Sequence, residues 1–171
     1  MEVVMGPDSI REARLTQLMQ QHEKELLKLC CIYLRDVNMA EDAVQETFIK
    51  AYRAMDAFRG ECSERTWLAR IAVNTCKDMR RSAWYRFVDR RVTLDSLPEP
   101  IAPASGESIR LTETIMRMPR KDMEVLLLYY YQGMTMEEVG QALHISAAGV
   151  AGRLKRARTR LKDMMKGEGE P

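Results

Sequence analysis

Read from its residues alone, this chain is all α, two small helical domains joined by a flexible linker. Strand signals are weak almost everywhere, and apolar residues keep a helical period through most of the sequence. Between residues 93 and 108 the run TLDSLPEPIAPASGES carries Pro98, Pro100, Pro103 and Gly106 with little periodicity, which is how a tether reads.

The elements follow in order. Residues 1–8 read as the frayed start of an N-terminal arm that extends to residue 14. Leu15, Leu18, Met19, His22, Leu26, Leu27 and Leu29 predict a first helix, continuing through Cys30 and Tyr33. A second helix is expected after Asn38, with Ala40, Ala43, Val44, Thr47, Phe48, Ala51, Tyr52 and Met55 on its period. It stops near Phe58, Arg59 and Gly60, where glycine supplies a break.

The third helix, RTWLARIAVNTCKDMRR over residues 65–81, has two contrasting sides. An α-helix turns about 100° per residue. Leu68, Ile71, Ala72, Thr75, Cys76 and Met79 therefore form one apolar face, while Trp67, Arg70, Asn74, Lys77 and Arg81 gather opposite. An aromatic ring among cations suits unstacked bases and phosphates, and Asn carries both a donor and an acceptor for a base edge. A solvated basic face with Trp67 turned partly into the core fits these residues equally well.

Past the tether, a second helical block starts near Ile109. Pro119 is expected in the first turn of a helix that ends at Gly133. Thr135 caps the next helix, with Glu138 closing a capping box, and Val139, Ala142 and Leu143 form its stripe. A tight turn at His144-Ile145 follows. Ser146 then caps a last helix whose inner face is Val150, Leu154, Ala157 and Leu161. Helix, short turn and basic helix is the helix-turn-helix pattern, whose second helix enters the major groove; an ordinary helical hairpin with a charged surface is the competing reading.

Charge is segregated although the net value is only +2. Six cations and no acids lie between Arg153 and Lys162. Between Arg65 and Arg91, eight cations face only Asp78 and Asp89, while Glu41, Asp42 and Glu46 cluster elsewhere. This predicts two separate basic surfaces. Cys30, Cys31, Cys62 and Cys76 form no CxxC pair and lie far in sequence from His22 and His144, which argues against zinc; no metal and no cofactor are expected. No nucleophile–base pair, HExxH or phosphate-cradling glycine loop points to an enzyme. With no apolar leader and no run approaching about 18 apolar residues, the expectation is a cytoplasmic protein without direct membrane insertion. A basic helix-turn-helix on one domain and an aromatic basic face on the other would suit duplex docking together with single-strand capture, the combination that promoter opening requires.

These residues resemble a known family. Residues 40–81, with AEDAVQETFIKAYRA, FRG and TWLARIAVNT, are similar to domain 2, a helical bundle, of bacterial extracytoplasmic-function sigma factors of the sigma-70 family. Residues 119–161, with LLLYYYQGMTMEEVGQAL and GRLKRARTRL, resemble domain 4 of the same family, its helix-turn-helix. The resemblance implies an arm over 1–14, domain 2 over 15–90, a linker over 91–108, domain 4 over 109–166 and a tail over 167–171.

It also implies roles. Glu41, Asp42, Gln45 and Glu46 would dock on the β′ clamp of core RNA polymerase, whose β subunit is a further partner. Asn74 would help capture a flipped base of the minus-ten element, with Trp67 partly structural, Arg59 in the loop that shapes the pocket, and Arg70, Lys77, Arg80 and Arg81 along the backbone. The helix capped by Ser146 would read the minus-thirty-five element of promoter DNA through Arg153, Lys155, Arg156 and Arg158. Gly149, Ala151 and Gly152 depart from the polar residues usual in the family. The linker would thread toward the polymerase cleft, and a cognate anti-sigma factor is an expected partner. A stand-alone helix-turn-helix regulator is the alternative; it leaves the Trp67–Asn74 face and the acidic patch without a task.

Overall fold

The computed structural model describes residues 6–82 and 106–167. The chain divides into two compact units, Met1–Arg90 and Arg91–Pro171. All regular structure among the described residues is helical.

The first unit packs three helices against one another: α1 (Pro7–Leu34), α2 (Val37–Ala54) and α3 (Glu64–Arg81), with a short 3₁₀ turn at Met55–Ala57 after α2. Helix α1 starts at Pro7, inside the stretch expected as an arm. Proline occupies the first turn, where its missing N–H costs nothing, and Asp8 beside it favours the positive helix end. Partners far away in sequence then hold residues 11 and 14. Helix α1 ends at Arg35 in the left-handed region (φ 56), whose N–H donates to the Cys31 carbonyl. The next helix begins at Val37, one residue before Asn38, because the Asp36 carboxylate accepts from the Met39 N–H and caps it.

The core of this unit is Leu26, Leu29, Leu34, Met39, Phe48, Leu68 and their neighbours, all nearly inaccessible. The expected inner face of α3 needs correction. Ile71 and Met79 are only half-buried, and Thr66, Ala69 and Val73 join Leu68, Ala72, Thr75 and Cys76 inside. Two neighbours pack on α3, so its buried sector is wider than a single stripe. Cys30, Cys31 and Cys76 are buried free thiols. A hydrogen bond with Cys76, then burial, holds the Cys30 thiol well above its ordinary value. Burial above all, then the charges of Cys30, Glu41 and Asp36, pushes Cys31 up to about 12. Thiols kept protonated are poor ligands and poor nucleophiles.

The second unit comprises α4 (Gly106–Arg117), α5 (Arg120–Leu126), α6 (Met136–Leu143) and α7 (Ala147–Gly167). Helix α4 begins at Gly106, inside the stretch expected as linker over 91–108; residues 91–105 of that stretch lie outside the described residues, as do 1–5 of the arm and 168–171 of the tail. Pro119 is the cap of α5 rather than a first-turn residue, with φ −54 and ψ 140, and its carbonyl accepts from Asp122 and Met123. Helix α5 widens into a π turn over Leu127–Tyr131, and Gly133 at φ 65 turns the chain toward α6. Met123, Val125, Leu128, Met134, Val139, Val150 and Leu154 form the core. No helix among the described residues is long and apolar enough to cross a membrane.

Candidate nucleic-acid interface

In the first unit the candidate face is the side of α3 turned away from α1 and α2. Its start is fixed locally: the Ser63 hydroxyl accepts from the Thr66 N–H at 3.1 Å. Trp67, one turn in, is half-buried and stacks on Phe58, with centroids 4.5 Å apart and planes 19° apart. Such a stack contributes about 0.5–1.5 kcal/mol beyond burial. It anchors the segment Phe58-Arg59-Gly60, where Gly60 adopts φ 72. The partly structural reading of Trp67 thus has a named partner, which sequence periodicity had no means of supplying. Asn74 and Arg81 are exposed, and Arg70 and Lys77 are half-exposed on the same side. Arg59 is exposed in the loop just before the helix.

Arg80 departs from this group. Its guanidinium lies over the Tyr33 ring of α1, 5.4 Å from the centroid. Its position, 3 residues beyond Lys77, puts it toward α1, where a cation over a buried aromatic face is stabilised. Arg81 pairs instead with Asp78, at 3.7 Å.

On α2, Glu41, Asp42 and Gln45 are exposed and Glu46 is half-buried, opposite a buried row of Ala40, Ala43, Val44, Thr47 and Phe48. Ile49, 45% exposed, extends this acidic stripe by one turn. The helical spacing of Asp42, Gln45, Glu46 and Ile49 puts all four on one side of α2, and Ile49 lies off the expected apolar period of that helix.

In the second unit, α6 and α7 make the helix-turn-helix. The capping box is complete: Thr135 accepts from the Glu138 N–H at 3.1 Å, and Glu138 accepts from the Thr135 N–H at 2.9 Å. His144 closes α6 in the left-handed region (φ 57), its N–H donating to Gly140 O. The Ser146 hydroxyl accepts from Gly149 N–H at 3.0 Å and opens α7. Gly140, which sequence inspection passed over, is the close-approach residue of the motif. A Cβ there would meet the Ile145 carbonyl oxygen at 2.6 Å.

The cations of α7 divide into two groups. Lys155 and Arg156 are exposed, and Arg153 is half-buried. Arg158 donates to the Tyr130 hydroxyl at 2.9 Å, and Arg160 donates to Asp122 at 2.6 Å, a carboxylate on a side chain only 12% exposed. Both tie α7 to the α5 segment. Of the cations expected to read duplex, Arg158 therefore starts from a committed position. Among the described residues, no group of three or more His, Cys, Asp or Glu is placed to hold a metal ion.

Comparison with known proteins gives consistent matches. Residues 18–86 match the family model for Sigma-70 region 2, and residues 108–161 match that for Sigma-70, region 4. The RNA polymerase sigma-H factor of Pseudomonas aeruginosa is 30% identical over 155 residues, spanning 82% of this chain and 80% of that protein. The ECF RNA polymerase sigma factor SigW of Bacillus subtilis is 30% identical over 159 residues, 85% of each chain. Among solved structures, CnrH in complex with the cytosolic domain of CnrY superposes with a TM-score of 0.69 at 27% identity, over 92% of this chain and 91% of that one. The fold also matches the sigma factor RpoE, solved with the anti-sigma factor NepR from Bartonella quintana, with a TM-score of 0.67 at 21% identity, over 91% and 96% of the two chains.

Proposed function

Because the chain belongs to the sigma-70 family of RNA polymerase sigma factors, in its extracytoplasmic-function group, we propose that its surfaces are divided among three tasks. As a sigma factor it directs core RNA polymerase to promoters and so sets where transcription begins. The acidic stripe Glu41, Asp42, Gln45 and Glu46 docks on the β′ clamp; its exposure on α2, against a fully buried opposite face, supports this. The α3 side bearing Trp67, Arg70, Asn74, Lys77 and Arg81, with Arg59 from the loop, engages the minus-ten element and promotes melting. Arg80 follows the DNA backbone from a position over Tyr33, where it also holds α3 on α1. Helix α7 reads the minus-thirty-five element, led by Ser146, Arg153, Lys155 and Arg156, with Arg158 released from Tyr130 on binding or acting from it. In domain terms, domain 2 spans 15–90, the linker 91–108 and domain 4 109–166; helix α1 itself reaches back to Pro7.

The observation that carries this reading is the exposed Asn74 on the same side of α3 as the Trp67–Phe58 stack, two turns along, on a unit that shares its chain with a helix-turn-helix. Extruding a base costs a few kcal/mol, and base–aromatic stacking returns about 1–3 kcal/mol per base. The unit therefore captures a base while the polymerase supplies the remaining energy. Catalysis belongs to the polymerase, so the chain acts as an initiation factor and not as an enzyme. A cognate anti-sigma factor is a further proposed partner, by analogy with RpoE, solved with the anti-sigma factor NepR, and with CnrH, solved with the cytosolic domain of CnrY. A stand-alone helix-turn-helix regulator accounts for α6 and α7 only.

In vitro transcription with core polymerase on a promoter library tests the proposal. Asn74→Ala should lower use of particular minus-ten bases while core affinity stays within about twofold, since the change removes one exposed side chain. Equal loss of both would refute the assigned role, and no core binding by the parent chain would favour the regulator.

A further inference from the structure

The loop between α2 and α3 carries Phe58, Arg59 and Gly60 and stands next to Trp67. Its inner side is fixed by the Phe58–Trp67 stack and the Ser63 cap. Its two ends are also held from outside, by one face of α1. Arg11 donates to the Tyr52 carbonyl at 2.9 Å, lies 4.6 Å over the Tyr52 ring and approaches Asp56 at 3.6 Å. All three contacts are just before the loop. Arg14, three residues on and so on the same face of α1, donates to Glu64 at 2.8 Å, in the first turn just after the loop.

We infer that Arg11 and Arg14 form a strap that sets the span of the 58–63 loop and thereby pre-positions its base-receiving pocket. The inference rests on the minus-ten reading of that loop and adds two positioning residues on a helix that makes no nucleic-acid contact in that reading. The two arginines contribute unequally. Arg14–Glu64 is an exposed pair, and such pairs contribute little individually. Arg11 combines a part-buried hydrogen bond to a carbonyl at the end of α2 with a stacked ring, and it dominates. A pocket held by its surroundings before the base arrives binds more tightly and more selectively than one that must order on binding.

The test uses the full chain and its holoenzyme. Hydrogen exchange on residues 57–64 is compared for the parent, Arg11→Ala, Arg11→Lys and the double variant Arg11→Ala/Arg14→Ala. Loop exchange should accelerate about tenfold in Arg11→Ala, the loss of one charged hydrogen bond and one cation–π contact, with Arg11→Lys in between because it keeps charge without the planar stack. In the holoenzyme, discrimination among single-base substitutions in the minus-ten element should fall about fivefold or more, with core affinity and minus-thirty-five duplex affinity unchanged. A merely structural role would lower all three together, and that outcome overturns the inference. Unchanged loop exchange overturns the strap whatever transcription does. Faster exchange with intact base discrimination overturns the link to specificity; if Asn74→Ala also leaves discrimination intact, the minus-ten reading of this face falls as well.

Discussion

Replacing Gly140 and Gly152 by alanine, one at a time, should move stability in opposite directions. The two glycines lie 12 residues apart in the same motif and undergo the same chemical change. In Gly140→Ala the new Cβ would sit 2.6 Å from the Ile145 carbonyl oxygen, with Ser146 C at 3.5 Å and Ala147 N at 3.6 Å. Carbon–oxygen contacts normally settle near about 3.3 Å, so the turn must open by roughly 0.7 Å. The obstacle is backbone, and it is pinned: Ile145 N–H donates to Gly140 O at 2.9 Å. Overpacking of this kind costs about 1–3 kcal/mol, against which alanine gains about 1 kcal/mol of helix propensity. The net expectation is a loss of about 1 kcal/mol, up to about 2. In Gly152→Ala the nearest atom is Arg156 Nη1 at 3.6 Å, an ordinary contact with the mobile end of a side chain. Only the propensity gain remains, about 0.5–1 kcal/mol of stabilisation. For a domain of this size each kcal/mol shifts Tm by about 4–8 °C. Thermal unfolding followed by circular dichroism, with hydrogen exchange on α6 assigning the transition to the second unit, reads both variants. Gly149→Ala should fall between them, because its Cβ would meet the Ser146 hydroxyl at 3.2 Å, tight but a side chain, and the Ile145 side chain only at an ordinary 3.8 Å. Gly140→Ala as stable as the parent, or Gly152→Ala less stable, would refute the close-approach reasoning.

Two further outcomes are expected. Arg156→Ala should weaken upstream duplex binding and reduce the slope of log affinity against log salt by about one, measured by fluorescence anisotropy across a salt series. The raised Cys31 thiol predicts an alkaline stability loss. The unfolded chain releases this proton near its ordinary value of 9.0 while the folded chain holds it to about 12. The stabilisation is therefore full below pH 9 and declines as pH rises through this window, by up to about 1.4 kcal/mol per pH unit. Urea unfolding at a series of alkaline pH values should show a shallower decline for Cys31→Ala than for the parent; parallel declines would refute the assignment.

What was legible in the sequence was whatever neighbours along the chain decide. The Thr135–Glu138 box, the Ser146 cap and the broad sidedness of α3 all depend on contacts within about one helical turn. What escaped depends on partners far away. Helix α1 starts at Pro7 and not after an arm because residues 11 and 14 meet Tyr52 and Glu64, separations of 41 and 50 residues. Arg80 looks like another cation of the basic face until Tyr33 is found beneath it, and Arg158 and Arg160 look free until Tyr130 and Asp122 are found beside them. Gly140 carries no local mark of its role; only the approach of Ile145 explains it. The π turn at Leu127–Tyr131 follows a run of Leu and Tyr with no local marker of a widened turn.

Ile49 has a consequence for the docking proposed for the acidic stripe. Attraction between charges fades as electrolyte is added, whereas dewatering of a greasy side chain does not. With an aliphatic residue at the end of its carboxylates, 45% open to water, the α2 surface has a component of adhesion that ionic competition leaves intact. On the docking proposed above, rising salt would weaken the grip of α7 on duplex more steeply than that of α2 on its mate, because only the second surface adds an apolar contact to its charges.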